Sequence, residues 1–146
     1  MLTVVEKVIF LQDVDVFSEV PTEQLAYLAA IAEEETFSQG EIIYREQDPA
    51  EAMYLVVEGK VRLHRGSLDI TVADPGDPFG TWALFDDEPR VSAATVLEEA
   101  RLLRLNKEEF VDLLADNVGI TQGVLKALVK RMRGLVGRVG AGSTQA

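Results

Sequence analysis

From Thr36 to Leu105 the apolar residues of this chain recur every second position, in short runs cut apart by turn residues. The runs are Glu41–Arg45, Ala52–Glu58, Lys60–Arg65, Leu68–Ala73, Ser92–Leu97 and Arg101–Leu105. Between them stand Ser38-Gln39-Gly40, Gln47-Asp48-Pro49, Gly59, Arg65-Gly66-Ser67 and Asp74-Pro75-Gly76-Asp77-Pro78, where glycine allows positive φ, proline fixes φ, and Asp or Ser bonds back to the chain. Many short strands at close spacing predict a mainly β fold, a small antiparallel barrel or double-stranded jelly roll over about residues 34–105. Such a barrel holds one ligand in its mouth or between strands.

The period on either side is 3.6. Val4, Val5, Val8, Ile9 and Leu11, then Val14, Val16 and Phe17, predict an N-terminal helix and turn. Pro21 suits the first position of a second helix with Leu25, Leu28, Ala29 and Ala32 as its buried stripe, and Glu33, Glu34 and Glu35 are expected to crowd its C-terminal end as a solvated run. After the strands, Asn106 and Glu109 have capping-box spacing ahead of Phe110, Leu113 and Leu114. A longer helix is expected from Gly119 to Arg138, with Ile120, Val124, Leu125, Leu128, Val129, Met132, Leu135 and Val136 on one face. The chain reads as one domain over 1–138, with helices over about 107–138 and a flexible tail at 139–146.

The irregular insertion among the strands is Gly76–Arg90, and it resembles a phosphate cradle in its chemistry. Gly80 allows close backbone approach, and Thr81–Phe85 suffice for one helical turn whose free N–H groups attract an anion. Arg90 follows a tight Asp-Asp-Glu-Pro loop and could hold two phosphate oxygens with one planar group. The alternative is an ordinary surface arginine. If its partner is a ligand, its removal is expected to cost little stability.

Composition narrows the chemistry. There is no cysteine and a single histidine, His64, so disulfides, thiolate catalysis and metal sites built on several imidazoles or thiolates are excluded. No metal site or cofactor is expected. The net charge of −11 argues against a general affinity for nucleic acid or anionic membrane. From Gly119 onward there are five bases, Lys126, Lys130, Arg131, Arg133 and Arg138, and no acid, so the first 118 residues carry −16. A small anion must then be held by a local positive feature, which again points to Arg90 and backbone amides. No apolar run reaches the roughly 18–20 residues of a membrane span, and Met1–Gln12 lacks the basic start of a signal peptide, so a soluble, cytoplasmic protein is expected.

Helix, barrel with one helical insertion carrying an arginine, then two helices: this order resembles the cyclic nucleotide-binding domain family, of the type found in the catabolite activator protein and in protein kinase A regulatory subunits. The resemblance runs from about Val5 to Val136. It is carried by Phe17-Ser18 before Pro21, Gly40-Glu41-Ile42-Ile43, Tyr54-Leu55-Val56-Val57-Glu58-Gly59-Lys60-Val61, Gly76-Asp77-Pro78-Phe79-Gly80, Pro89-Arg90 and Leu102-Leu103-Arg104-Leu105 leading to Phe110. It implies a regulatory domain, not an enzyme, that binds a cyclic nucleotide through Gly80, Thr81, Trp82, Ala83, Arg90, Val91 and Ser92. The long C-terminal helix would close over the base.

Two departures qualify the resemblance. Where the family has a glutamate on the ribose 2′-hydroxyl this chain has Thr81, and where it has a small residue after the arginine this chain has Val91. A hydroxyl replaces a charge-assisted bond, which weakens binding by about 1–3 kcal/mol. In the family's cGMP-selective members a threonine after the arginine meets the guanine, so the resemblance implies cAMP, or neither nucleotide, over cGMP. Trp82 either shapes the pocket or packs as barrel core. The alternative to a sensor is a degenerate fold without ligand, acting as an interaction or dimerisation module. Nothing after Val136 has the length for a helix-turn-helix, so the effector is expected in another domain or a partner protein, with self-association through the 119–138 helix.

Overall fold

The computed structural model describes the backbone of residues 1–145 and the side chains through Arg138. The elements run α1 (Val4–Gln12), a 3₁₀ turn (Asp15–Phe17), α2 (Thr22–Ile31), β1 (Glu33–Phe37), β2 (Ile42–Tyr44), β3 (Ala52–Arg65), β4 (Leu68–Ala73), β5 (Pro78–Phe79), a second 3₁₀ helix (Thr81–Leu84), β6 (Ala93–Asn106), α3 (Lys107–Asp116) and α4 (Val118–Gln145). All strands join one antiparallel sheet, ordered β1-β6-β3-β4, with β2 also on β6 and β5 on β3.

β3 and β6 are its spine. Each spans 14 residues, and they pair from Ala52↔Asn106 to His64↔Ala93. The break expected at Gly59 is instead a kink inside one continuous strand. Gly59 has φ +89°, and a Cβ there would lie 2.3 Å from the Glu99 carbonyl oxygen, so only glycine permits the two strands to cross this closely. For the same reason the runs Ser92–Leu97 and Arg101–Leu105 merge into β6.

The alternation along β3 divides the interior. Met53, Leu55 and Val57 face a cluster built with Leu11, Phe17, Leu25, Leu28, Leu103, Leu105, Phe110, Ile120 and Val124, under the helices. Ala52, Tyr54, Val56 and Val61 face the barrel interior, with Tyr44, Phe79, Val96 and Leu102. Each large side chain so buried contributes roughly 1.5–3 kcal/mol.

Several local expectations change. Glu33–Glu35 do not end α2; they open β1, because the strand pairs with β6 from Glu33↔Arg104 to Phe37↔Ala100. There Glu34 and Glu35 meet Arg101 and Arg104 at 3.6 and 3.5 Å, which no helix end would offer. Pro21 is the N-cap residue of α2, one place before the first helical position. Asn106 caps α3 without a side-chain bond to the helix backbone; its Nδ2 donates to Glu109 Oε1 at 3.0 Å while its Oδ1 accepts from Arg104 Nε at 2.7 Å. The amide is thus committed to its neighbours instead of a capping box.

α4 begins at Val118 and its backbone extends beyond Arg138; the tail expected at 139–146 lies outside the residues whose side chains are described. Its apolar positions do not share one buried face. Ile120, Val124 and Ala127 enter the core, whereas Leu125, Val129, Met132 and Val136 follow a second, exposed stripe.

Candidate functional site

Gly76-Asp77-Pro78-Phe79 brings the chain across the end of β3, where Phe79 pairs with Tyr54 and stacks on its ring at 5.3 Å. Gly80 then turns in the left-handed region, φ +69°, and opens the one-turn helix Thr81–Leu84. A Cβ at Gly80 would fall 2.6 Å from Arg90 Nη1 and 3.3 Å from the Tyr44 hydroxyl, so the hydrogen side chain is what lets these groups approach the turn.

Arg90 is not a surface arginine. It is 7 % exposed, the one buried charged residue among those described. Its return loop is fixed by two backbone bonds, Arg90 N–H to Asp48 carbonyl at 2.8 Å and Gln47 N–H to Arg90 carbonyl at 2.9 Å. The side chain donates from Nη2 to the Ala52 carbonyl at 2.5 Å and from Nη1 to the Gly80 carbonyl at 3.3 Å, and its guanidinium carbon lies 3.9 Å from the centre of the Tyr44 ring. Nε is buried without a partner among the described residues. Burial lowers the guanidinium pKa, and the same burial pushes the Tyr44 hydroxyl up to about 12.

These groups line a cavity of about 490 Å³ that opens between the barrel and α4. All seven residues expected to form the site, Gly80, Thr81, Trp82, Ala83, Arg90, Val91 and Ser92, stand around it. Ala83 is buried, Thr81 and Ser92 are half-buried, and Val91 is exposed with its carbonyl accepting from Arg65 Nε at 2.9 Å. Trp82 is 63 % exposed, so it is not barrel core; it stands as an apolar rim with Leu63, Ile70 and Val91. The volume suits a ligand of nucleotide size, with one buried cation for an anionic group and an apolar rim for a flat ring.

The contributors that sequence reasoning missed include Tyr44, Asp15 and Arg131. Tyr44 reaches the cavity from β2, and Asp15 and Arg131 reach it from the first 3₁₀ turn and from α4. Asp15 Oδ2 and Arg131 Nη1 are 3.7 Å apart. Asp86 and Glu88 add further acid to the wall, so Arg90 and Arg131 are its cations. Among the described residues no group of His, Cys, Asp and Glu is arranged to hold a metal ion, and no helix is long and apolar enough to cross a membrane.

The model of the cyclic nucleotide-binding domain matches residues 34–117. The chain is 28 % identical over 123 residues to the CRP-like cAMP-activated global transcriptional regulator of Mycobacterium tuberculosis, covering 81 % of this chain and 55 % of that protein. It is 33 % identical over 102 residues to the cyclic AMP receptor protein of Thermus thermophilus, covering 66 % and 47 %. It therefore spans about half the length of these curated relatives. The N-terminal domain of a transcriptional regulator from Streptomyces coelicolor superposes with a TM-score of 0.81 at 31 % identity, over 88 % of this chain and 93 % of that one.

Proposed function

This chain belongs to the cyclic nucleotide-binding domain family, and from that we propose that its cavity binds a cyclic nucleotide, cAMP ahead of cGMP, and reports occupancy to an effector in another domain or a partner protein. The observation that carries the reading is Arg90. A buried cation on the cavity wall, beside a left-handed glycine and a short helix, supports the reading of an anion site. The ligand's phosphate would take Arg90 and the amides near Thr81 and Ala83, its ribose would meet Thr81, and its base would lie between the Trp82 rim and α4.

Val91, in place of a hydroxyl beside the ring, supports cAMP over cGMP. No catalytic role is proposed, since the relatives are named as a transcriptional regulator, a cyclic AMP receptor and kinase regulatory subunits. The effect of binding would pass through α4, whose exposed stripe also suits self-association, in the cytoplasm. Calorimetric titration with cAMP and cGMP tests the reading. Heat of binding for cAMP, in the tens-of-micromolar range or tighter, is the expected result, and no heat with either nucleotide would reject it.

A second reading has its own support. Thr81 supplies no carboxylate, the Nη atoms of Arg90 are already engaged by carbonyls, and α4 leaves an apolar stripe uncovered. A domain that has lost its ligand and acts as an interaction module would keep these features. Self-association without nucleotide binding would identify it.

A further inference from the structure

Resting on the cyclic-nucleotide reading, we propose that Tyr44 is a ligand-contacting residue of the cradle, its hydroxyl donating a hydrogen bond to a phosphate oxygen beside Arg90. Tyr44 closes β2, and its ring packs among Tyr54 and Phe79 with centroid distances of 6.3 Å to each. It is 8 % exposed, yet it lines the cavity. Its hydroxyl makes no hydrogen bond among the described residues, and, unlike Arg90 Nε, it is not among the fully buried unpartnered atoms. A buried phenol normally finds a partner, so an open one aimed at a cradle marks a place for a ligand acceptor.

The position of the hydroxyl identifies that acceptor. It lies alongside Arg90 Nη1 at the single point where Gly80 has no side chain, both atoms falling within 3.3 Å of where a Cβ would be. An anion that draws on Arg90 there is within reach of Tyr44 as well. Two donors of different shape then read neighbouring phosphate oxygens, and this binding is independent of the ribose contact that Thr81 weakens. The ring has a second duty, since its face carries the Arg90 guanidinium at 3.9 Å. Burial pushes the hydroxyl up to about 12, so it keeps its proton for donation throughout the neutral range.

The test compares the parent with Tyr44→Phe, which keeps the ring and its stack on Arg90 and removes only the oxygen. Each protein is titrated with cAMP and with the two phosphorothioate diastereomers of cAMP, and each is melted without ligand. Tyr44→Phe should bind cAMP about tenfold more weakly at an unchanged melting temperature. That loss should disappear for the one diastereomer whose sulfur, a poor acceptor, replaces the oxygen that Tyr44 contacts. Equal cAMP affinity in both proteins would overturn the inference. So would an equal loss with cAMP and both diastereomers, since that pattern belongs to altered packing. A parent that binds neither cAMP nor cGMP would overturn the cyclic-nucleotide reading itself, and this inference with it.

Discussion

The ring of Phe110, in the first turn of α3, stands edge-on to that of Phe85, which ends the short cradle helix; their centroids are 5.8 Å apart at 90°. Phe110 is fully buried and also meets Phe17 of the first 3₁₀ turn at 6.1 Å. One side chain therefore joins the cradle, α3 and the segment on which α4 rests. Phe110→Ala should destabilise the domain by about 3–5 kcal/mol, read from urea denaturation. Phe85→Ala, at a half-exposed position, should cost about 1 kcal/mol.

Arg90→Ala should abolish cyclic-nucleotide binding in calorimetry. Contrary to the expectation from sequence, it should also cost about 1–3 kcal/mol of stability, because the Ala52 carbonyl loses a charged donor and the Tyr44 ring loses its stacked neighbour. Arg90→Lys should restore part of the binding, since an ammonium matches the charge and not the two-pronged geometry.

Thr81→Glu should tighten cAMP by about 1–3 kcal/mol, or roughly 5- to 150-fold, by supplying a charged acceptor to the ribose hydroxyl. Thr81 is half-buried on the cavity wall, where a longer side chain has room. Titration of both proteins under one salt condition checks this, and weaker binding in the variant would assign Thr81 to a different ligand.

Alkaline stability should follow Tyr44. Its hydroxyl is pushed from 10.0 up to about 12 by burial, so the native state holds a proton that the unfolded chain has released. Stability should be full below pH 10 and decline between pH 10 and 12, by about 2–3 kcal/mol from this group. Tyr44→Phe should flatten that part of the profile. Tyr54, also raised by burial, should account for part of the remaining slope.

Val129→Glu combined with Met132→Glu should abolish any self-association seen in sedimentation velocity while leaving the fold intact. Both side chains are on the exposed stripe of α4, whereas Ile120, Val124 and Ala127 hold the helix to the core. Truncation near Asn117 would be a poor substitute, because it removes those three core residues as well.

The alternation that predicts the barrel is legible because alternate residues of β3 and β6 enter apolar interiors, and the Gly80–Arg90 spacing is legible because the cradle is local in sequence. Tyr44 gave no such signal. It reaches the cradle through the pairing of β2 with β6, a contact between residues about 50 positions apart. Strand continuity at Gly59 was equally hidden, since a glycine that kinks a strand and one that ends it look alike until the crossing strand is present. The α4 stripe appeared single because two faces, Ile120-Val124-Ala127 and Leu125-Val129-Met132-Val136, lie side by side on a helical wheel.

β3 presents Met53, Leu55 and Val57 to the helices and Tyr54 and Val56 to the barrel, so one backbone segment is a party wall between two interiors. Neither interior can loosen without stripping the other of its boundary, and the domain should melt in a single cooperative step. Motion driven by a ligand is then confined to what the wall does not carry. The cradle turn can tighten and helices can slide as units across the outer face of β3, while the roll itself serves as a fixed anvil. On the proposed function, the exposed stretch of α4 from Arg131 to Arg138 is where a small shift at Gly80 would gain its lever arm.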